Sequence, residues 1–124
     1  MALFKKETAE DLPIETLISA PTRIQGDVLF SGGLQLEGTV AGSVRAAQDR
    51  PSRLVTGSAA VIEGSVVAQI VELHGTVRGD IMAARRVTLG AGARVEGNLH
   101  YGAIEMAAGA HINGKLVKLA TDGS

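Results

Sequence analysis

Apolar residues in this chain alternate with polar ones in short bursts that restart at regular distances. Leu36, Val40 and Val44 stand with Gly38 and Gly42 at every second position, and Leu73, Val77 and Ile81 stand the same way with Gly75 and Gly79. Period two is strand spacing, because successive side chains of a strand point to opposite faces. The two stretches read LEGTVAGSV and LHGTVRGDI, and the opening Ile24-Gln25-Gly26-Asp27-Val28 carries the same ending. Three longer segments, Leu54 to Val66, Val87 to Leu99 and Ile104 to Leu116, align over thirteen columns. Each begins and ends on an apolar residue and holds small residues in the middle.

Equivalent glycines fall at Gly26, Gly42, Gly64, Gly79, Gly97 and Gly114, separated by 16, 22, 15, 18 and 17 residues. The longest interval contains Ala46-Ala47-Gln48-Asp49-Arg50-Pro51-Ser52-Arg53, a polar, proline-bearing stretch that reads as a loop inserted at a corner. A unit this short cannot close a core alone, but it can when stacked on copies of itself. The pattern predicts an all-β, single-domain, right-handed parallel β-helix of about six turns over residues 21–119, with flexible tails at 1–20 and 120–124. Its expected inward residues are Ile24, Val28, Leu36, Val40, Val44, Leu54, Ile62, Val66, Leu73, Val77, Ile81, Val87, Leu89, Val95, Leu99, Ile104, Met106, Ile112 and Leu116. A left-handed helix of six-residue repeats is the competing form. Leu89, Val95 and Tyr101 step by six, but LEGTVAGSV and LHGTVRGDI do not.

Composition sharpens this picture. The 124 residues include two Phe, one Tyr and no Trp, so the core has to be built from Val, Ile, Leu and Ala. The 16 glycines suit a chain with many tight turns. Cysteine is absent, which removes disulfides, thiolate metal sites and a cysteine nucleophile. A net charge of −1, with no basic run interleaved with aromatics, gives no footing for nucleic acid. No apolar run is long enough for a membrane span or a signal peptide, so a cytoplasmic location is expected.

Chemistry has little to work with. His74, His100 and His111 each neighbour an inward apolar residue and so belong on the outer surface, in separate turns. No recurring carboxylate orients them as bases, and they form no ligand cluster. No catalytic residue, metal site or cofactor is expected. The enzyme alternative is a trimeric left-handed β-helix acyltransferase with a histidine base. An ice-binding surface would need a flat array of threonines, which Thr39 and Thr76 do not make. The Walker pattern is missing, and Gly90-Ala91-Gly92 is a repeat feature without a following helix.

A β-helix without caps has a strand edge and an apolar interior open at each end. The last turn, Ile112 to Leu119, is followed by only five residues, and the first is entered from a tail broken by Pro13 and Pro21. Sticky ends of this kind predict a homopolymer. The contact residues are expected to be Ile24, Val28 and Phe30 at one end and His111, Ile112, Leu116, Val117 and Leu119 at the other. At the N-terminus, Leu3 and Phe4 beside Lys5 and Lys6 suit a lipid interface with anionic headgroups.

These segments resemble the bactofilins. Thr16-Leu17-Ile18-Ser19, Ile24 to Val28, Leu36 to Gly42 and Val95-Glu96-Gly97-Asn98-Leu99 match that family's recurring elements in order and spacing, from about Leu17 to Leu119. The resemblance implies nucleotide-independent, non-polar filaments joined head to head and tail to tail. It further implies a scaffold on the inner face of the cell membrane that recruits cell-wall synthesis or remodelling enzymes. Family members often carry an aromatic before the last repeat glycine, where this chain has His111 and Ile112.

Overall fold

The structure, a computed structural model, describes residues 13–47 and 51–119. It contains sixteen strands and no helix among them. They are β1 (Ile14–Ile18), β2 (Arg23–Gln25), β3 (Val28–Phe30), β4 (Gly32–Leu36), β5 (Thr39–Ala41) and β6 (Val44–Ala46). Then come β7 (Ser52–Thr56), β8 (Val61–Ile62), β9 (Val66–Leu73), β10 (Thr76–Arg78) and β11 (Ile81–Leu89). The chain finishes with β12 (Arg94–Glu96), β13 (Leu99–Tyr101), β14 (Ile104–Met106), β15 (His111–Asn113) and β16 (Leu116–Lys118). Every pairing is parallel, between a strand and its equivalent one turn away, which makes the molecule a parallel β-solenoid of six turns.

Three walls enclose the core. The first is a six-stranded sheet of β2, β5, β8, β10, β12 and β15. A ten-stranded sheet bends to make the other two. Its second wall holds β3, β6, the start of β9, the start of β11, β13 and β16. Its third holds β1, β4, β7, the ends of β9 and β11, and β14. Ile24, Val40, Ile62, Val77, Val95 and Ile112 are register neighbours up the first wall, so successive turns take 16, 22, 15, 18 and 17 residues. Those are the intervals between the repeat glycines.

The corners explain why the turns differ in length. From first wall to second, the inward residues are always four apart, as in Val77 to Ile81 and Val95 to Leu99. From third wall to first there are two designs. The wide one contains a β-turn, closed by Thr22 N–H donating to Ser19 O (2.9 Å), Ala60 to Gly57 (3.1 Å), Ala93 to Gly90 (3.0 Å) and Ala110 to Ala107 (3.2 Å). The tight one uses Gly38 or Gly75, each packed on the carbonyls of the wide corner beneath it. The two sequence patterns are therefore one fold with two versions of a single corner. The interval of 22 comes from the corner between second and third walls, where the polar stretch after Ala46 lies; residues 48–50 of it are outside the described part.

The core is aliphatic and layered. Leu36, Val40, Val44, Leu54, Ile62, Val66, Leu73, Val77, Ile81, Val87, Leu89, Val95 and Leu99 are all buried, as their alternation predicts. Leu34, Ile70 and Val71 are buried as well. Thr56 holds an inward place between Leu36 and Leu73, and its hydroxyl accepts from the N–H of His74 (3.0 Å) and of Gly75 (3.4 Å). That contact satisfies donors which the tight corner leaves without a strand partner. Ordered pairing also begins earlier than the sequence suggested. Residues 14–18, read there as part of the tail, form β1 on β4, with Thr16 and Ile18 in the inward places beside Leu34 and Leu36 and Leu17 facing out.

The repeat glycines stack at the corner between first and second walls. A Cβ added to Gly42, Gly64, Gly79, Gly97 or Gly114 would overlap the carbonyl oxygen of the glycine one turn before it. Side chains there offer no relief, because the obstacle is backbone. Gly97→Val is expected to cost about 2 kcal/mol or more, seen as an earlier urea midpoint. Gly92→Ala, whose Cβ meets only ordinary contact, should stay within about 0.5 kcal/mol of the parent.

Candidate polymer interface

The inward columns run out to both ends of the solenoid without a lid among the described residues. At the C-terminal end the last members are Ile104, Met106, Ile112 and Leu116, in register with Val87, Leu89, Val95 and Leu99. Position in the stack alone decides their exposure. Leu99 is 0% exposed and Leu116 48%; Leu89 is 1% exposed and Met106 47%. Ile104 and Ile112 are half-buried. At the N-terminal end Ile18, Ile24 and Val28 are half-buried over Leu36, Val40 and Val44.

The backbone follows the same logic. β2 and β15 are the outermost strands of the six-stranded sheet, and β1 and β16 stand at the ends of the ten-stranded order. Each end therefore presents edges whose outer N–H and C=O groups have no strand partner among the described residues, around a patch of aliphatic side chains. An end with both features is built to receive another strand layer. Water satisfies the polar groups but not the apolar ones.

A polar ladder beside the glycine column runs towards the same ends. Asp27 Oδ1 accepts from Ser43 N–H and Asp80 Oδ1 from Asn98 N–H, both at 2.9 Å; Asn98 Oδ1 accepts from Lys115 N–H at 3.2 Å. Each side chain thus caps the backbone of the next turn. Lys115 closes this ladder, and Lys118 closes the inward column of Phe30, Ala46, Ala68, Ala83 and Tyr101. The C-terminal end therefore carries a lysine at each of these two positions.

The residues named from the sequence distribute unevenly over these ends. Ile24 and Val28 lie on the N-terminal edge, and Ile112 and Leu116 on the C-terminal edge, all facing the core axis. Phe30 is buried within the first turn. His111 points outward on the first wall, paired with Arg94, and Val117 points outward on the second, paired with His100. Leu119 follows β16 and donates its N–H to Tyr101 O at 2.7 Å. Ile18, Ile104 and Met106 join the edges and were not among the expected contacts. The signal was present for Met106, since the alignment of Ile104–Leu116 with Val87–Leu99 makes it the equivalent of buried Leu89. Leu3, Phe4, Lys5 and Lys6 lie outside the described residues.

No catalytic arrangement competes with the ends. His74 packs over Gly90, His100 faces outward on the second wall and His111 on the first, in different turns. Among the described residues no three His, Cys, Asp or Glu gather to hold a metal ion. Arg78 lies between Glu63 (3.6 Å) and Glu96 (3.8 Å) on the first wall, but all three are well exposed and such pairs contribute little.

One column supports a direct test. Leu99→Ala should cost about 3 kcal/mol of subunit stability. Leu116→Ala, one layer further out, should cost under about 1 kcal/mol yet raise the concentration needed for assembly. Chemical denaturation and sedimentation of the two variants separate these effects.

Comparison with known proteins gives a consistent picture. The family model described as "Bactofilin: Polymer-forming cytoskeletal" matches residues 16–117. Bactofilin BacO of Myxococcus xanthus (strain DK1622) is 31% identical over 121 residues, spanning 91% of this chain and 93% of the relative. A bactofilin from a cryo-EM reconstruction of Thermus thermophilus double helical filaments superposes with a TM-score of 0.73 at 29% identity, over 85% of this chain and 100% of that one. The cytoskeletal bactofilin BacA, solved by solid-state NMR, superposes with a TM-score of 0.72 at 35% identity, over 85% and 96%.

Proposed function

The chain belongs to the bactofilin family of polymer-forming cytoskeletal proteins, and on that footing we propose that it assembles without nucleotide into non-polar filaments by end-to-end stacking of solenoids. The filaments lie on the inner face of the cytoplasmic membrane and scaffold proteins of cell shape or wall synthesis. The observation that carries the stacking is the run of inward columns into first and last turns that no described residue covers. Joining two ends buries Met106 and Leu116, the most exposed inward residues, and pairs the free strand edges. The family resemblance supports like ends meeting each other. No Walker pattern occurs in the sequence, and the stacking contact needs no phosphate.

Membrane attachment rests on the N-terminal sequence. Leu3 and Phe4 supply apolar insertion, and Lys5 and Lys6 each contribute about 1 kcal/mol at an anionic surface. One such tail binds weakly, but a filament displaying many gains avidity without new contacts. Client proteins would be held by the same multiplicity.

Negative-stain electron microscopy without nucleotide tests the first part: long unbranched filaments are expected, and discrete compact trimers would overturn it. Leu116→Arg places an unpaired charge in the contact at a cost of about 3 kcal/mol or more. That raises the assembly concentration roughly a hundredfold while the strand signal in circular dichroism stays intact. Deleting residues 2–6 should release filaments from anionic vesicles and leave polymerisation unchanged. Truncated protein that still floats with vesicles would refute the membrane role of that segment.

A further inference from the structure

The two ends of the solenoid carry charge differently. Three walls give the cross-section three corners. In the last layer, Lys115 follows Gly114 at the corner between first and second walls, and Lys118 ends the second wall at the next corner. The remaining corner is the uncharged turn Ala107–Ala110. Both lysines are exposed. The one carboxylate among the described residues of this layer, Glu105, stands mid-wall on the third, in register with Thr88. In the first layer the corners hold Asp27, the pair Phe30 and Ser31, and the turn Ser19–Thr22, so one corner of three is charged.

Symmetry turns this difference into a consequence. A joint between like ends has a two-fold axis across the stacking direction. If the inward columns are to continue across the joint, corner must lie over corner. The axis then passes through one corner and the middle of the opposite wall, and the other two corners exchange. At the C-terminal end every choice opposes lysines. An axis through the first corner lays Lys115 on its copy, one through the second lays Lys118 on its copy, and one through the third lays Lys115 on Lys118. At the N-terminal end, two of the three choices place Asp27 over an uncharged corner. Lysine at a sheet edge is a device that opposes edge-to-edge pairing. Here it borders Met106 and Leu116, 47% and 48% exposed, whose burial favours the joint. Salt reverses the balance, because it screens the lysines and leaves the apolar gain in place. The screening length falls from about 30 Å at 0.01 M to about 8 Å at 0.15 M.

We propose that Lys115 and Lys118 make the C-terminal joint a salt-controlled contact: at low ionic strength assembly stops at two subunits joined by their N-terminal ends, and filaments grow from these pairs as salt rises. This rests on the meeting of like ends proposed above. Stacking of unlike ends has the opposite sign, since it carries the glycine corner of one subunit onto that of the next and sets Lys115 over Asp27. Such a filament weakens as salt rises.

Charge reversal tests the assignment. The parent and the double variant Lys115→Glu with Lys118→Glu are each purified, checked for strand signal by circular dichroism, and sedimented in about 0.01 M and about 0.3 M salt. Each alone should give two-subunit species at low salt and filaments at high salt, with the assembly concentration falling about tenfold or more. Mixed at low salt, the two should form filaments together, because lysine then meets glutamate. Repulsion between whole molecules predicts the reverse. Each reversal removes two units of charge, taking the net from −1 to −5, so both partners are negative. A parent that assembles equally well at both salt concentrations would overturn the inference, as would a mixture that stays in small species at low salt. Parent filaments that form best at low salt would instead overturn the meeting of like ends. No filaments under any condition would overturn the stacking itself.

Discussion

Close approach of backbone to backbone at one corner sets the terms for the whole molecule. Where the first wall meets the second, each turn after the first places a glycine against the carbonyl oxygen of the glycine one turn before, in the space a Cβ would occupy. The spacing across that corner is then the same in all six turns, which locks the register of two walls together. With register locked, an alternating Val or Leu on one turn must fall beneath an alternating Val or Leu on the next, and the aliphatic columns follow. The variation the solenoid tolerates in turn length is pushed to the other two corners.

This hierarchy explains what could be read from the sequence. The glycine intervals equal the register intervals because the glycines mark the one corner that does not vary. The inward residues of the middle turns were legible because both walls and core repeat there. Thr56 was not, since its polar side chain breaks the alternation and its role depends on donors in the next turn, His74 and Gly75. β1 was obscured by Pro13 and Pro21 on either side, which punctuate the local pattern without preventing the pairing with β4. At the ends, the sequence could place Ile112 and Leu116 inward. It also put His111 on the outer surface, yet grouped His111 and Val117 with the end contact, whereas both point outward from their walls.

Exposure at the ends of the solenoid follows from position in the stack. A column that is fully buried in the interior becomes half-exposed in the last layer for no reason of its own chemistry. Leu99 and Leu116 are the same residue type in the same column with opposite fates. A polymer-forming cytoskeletal protein of this kind is a core left unfinished, and its assembly interface is the cross-section of its own fold. This makes interface and stability hard to separate by mutation in the interior and easy to separate at the last layer.

The corner between second and third walls, where the chain makes its longest detour after Ala46, has a further consequence for the geometry of anything built from it. Extra residues there leave the glycine corner and the axial rise unchanged, so chain length varies without altering the lattice constant. In a filament whose like ends meet, that corner occurs twice in each two-subunit repeat, which is about 58 Å long if the strand spacing continues across the joints. The corner is thus a periodic mounting point, a ruler mark set by the two-subunit repeat, where a peptide or domain grafted after Ala47 would be displayed in a fixed pattern along the fibre.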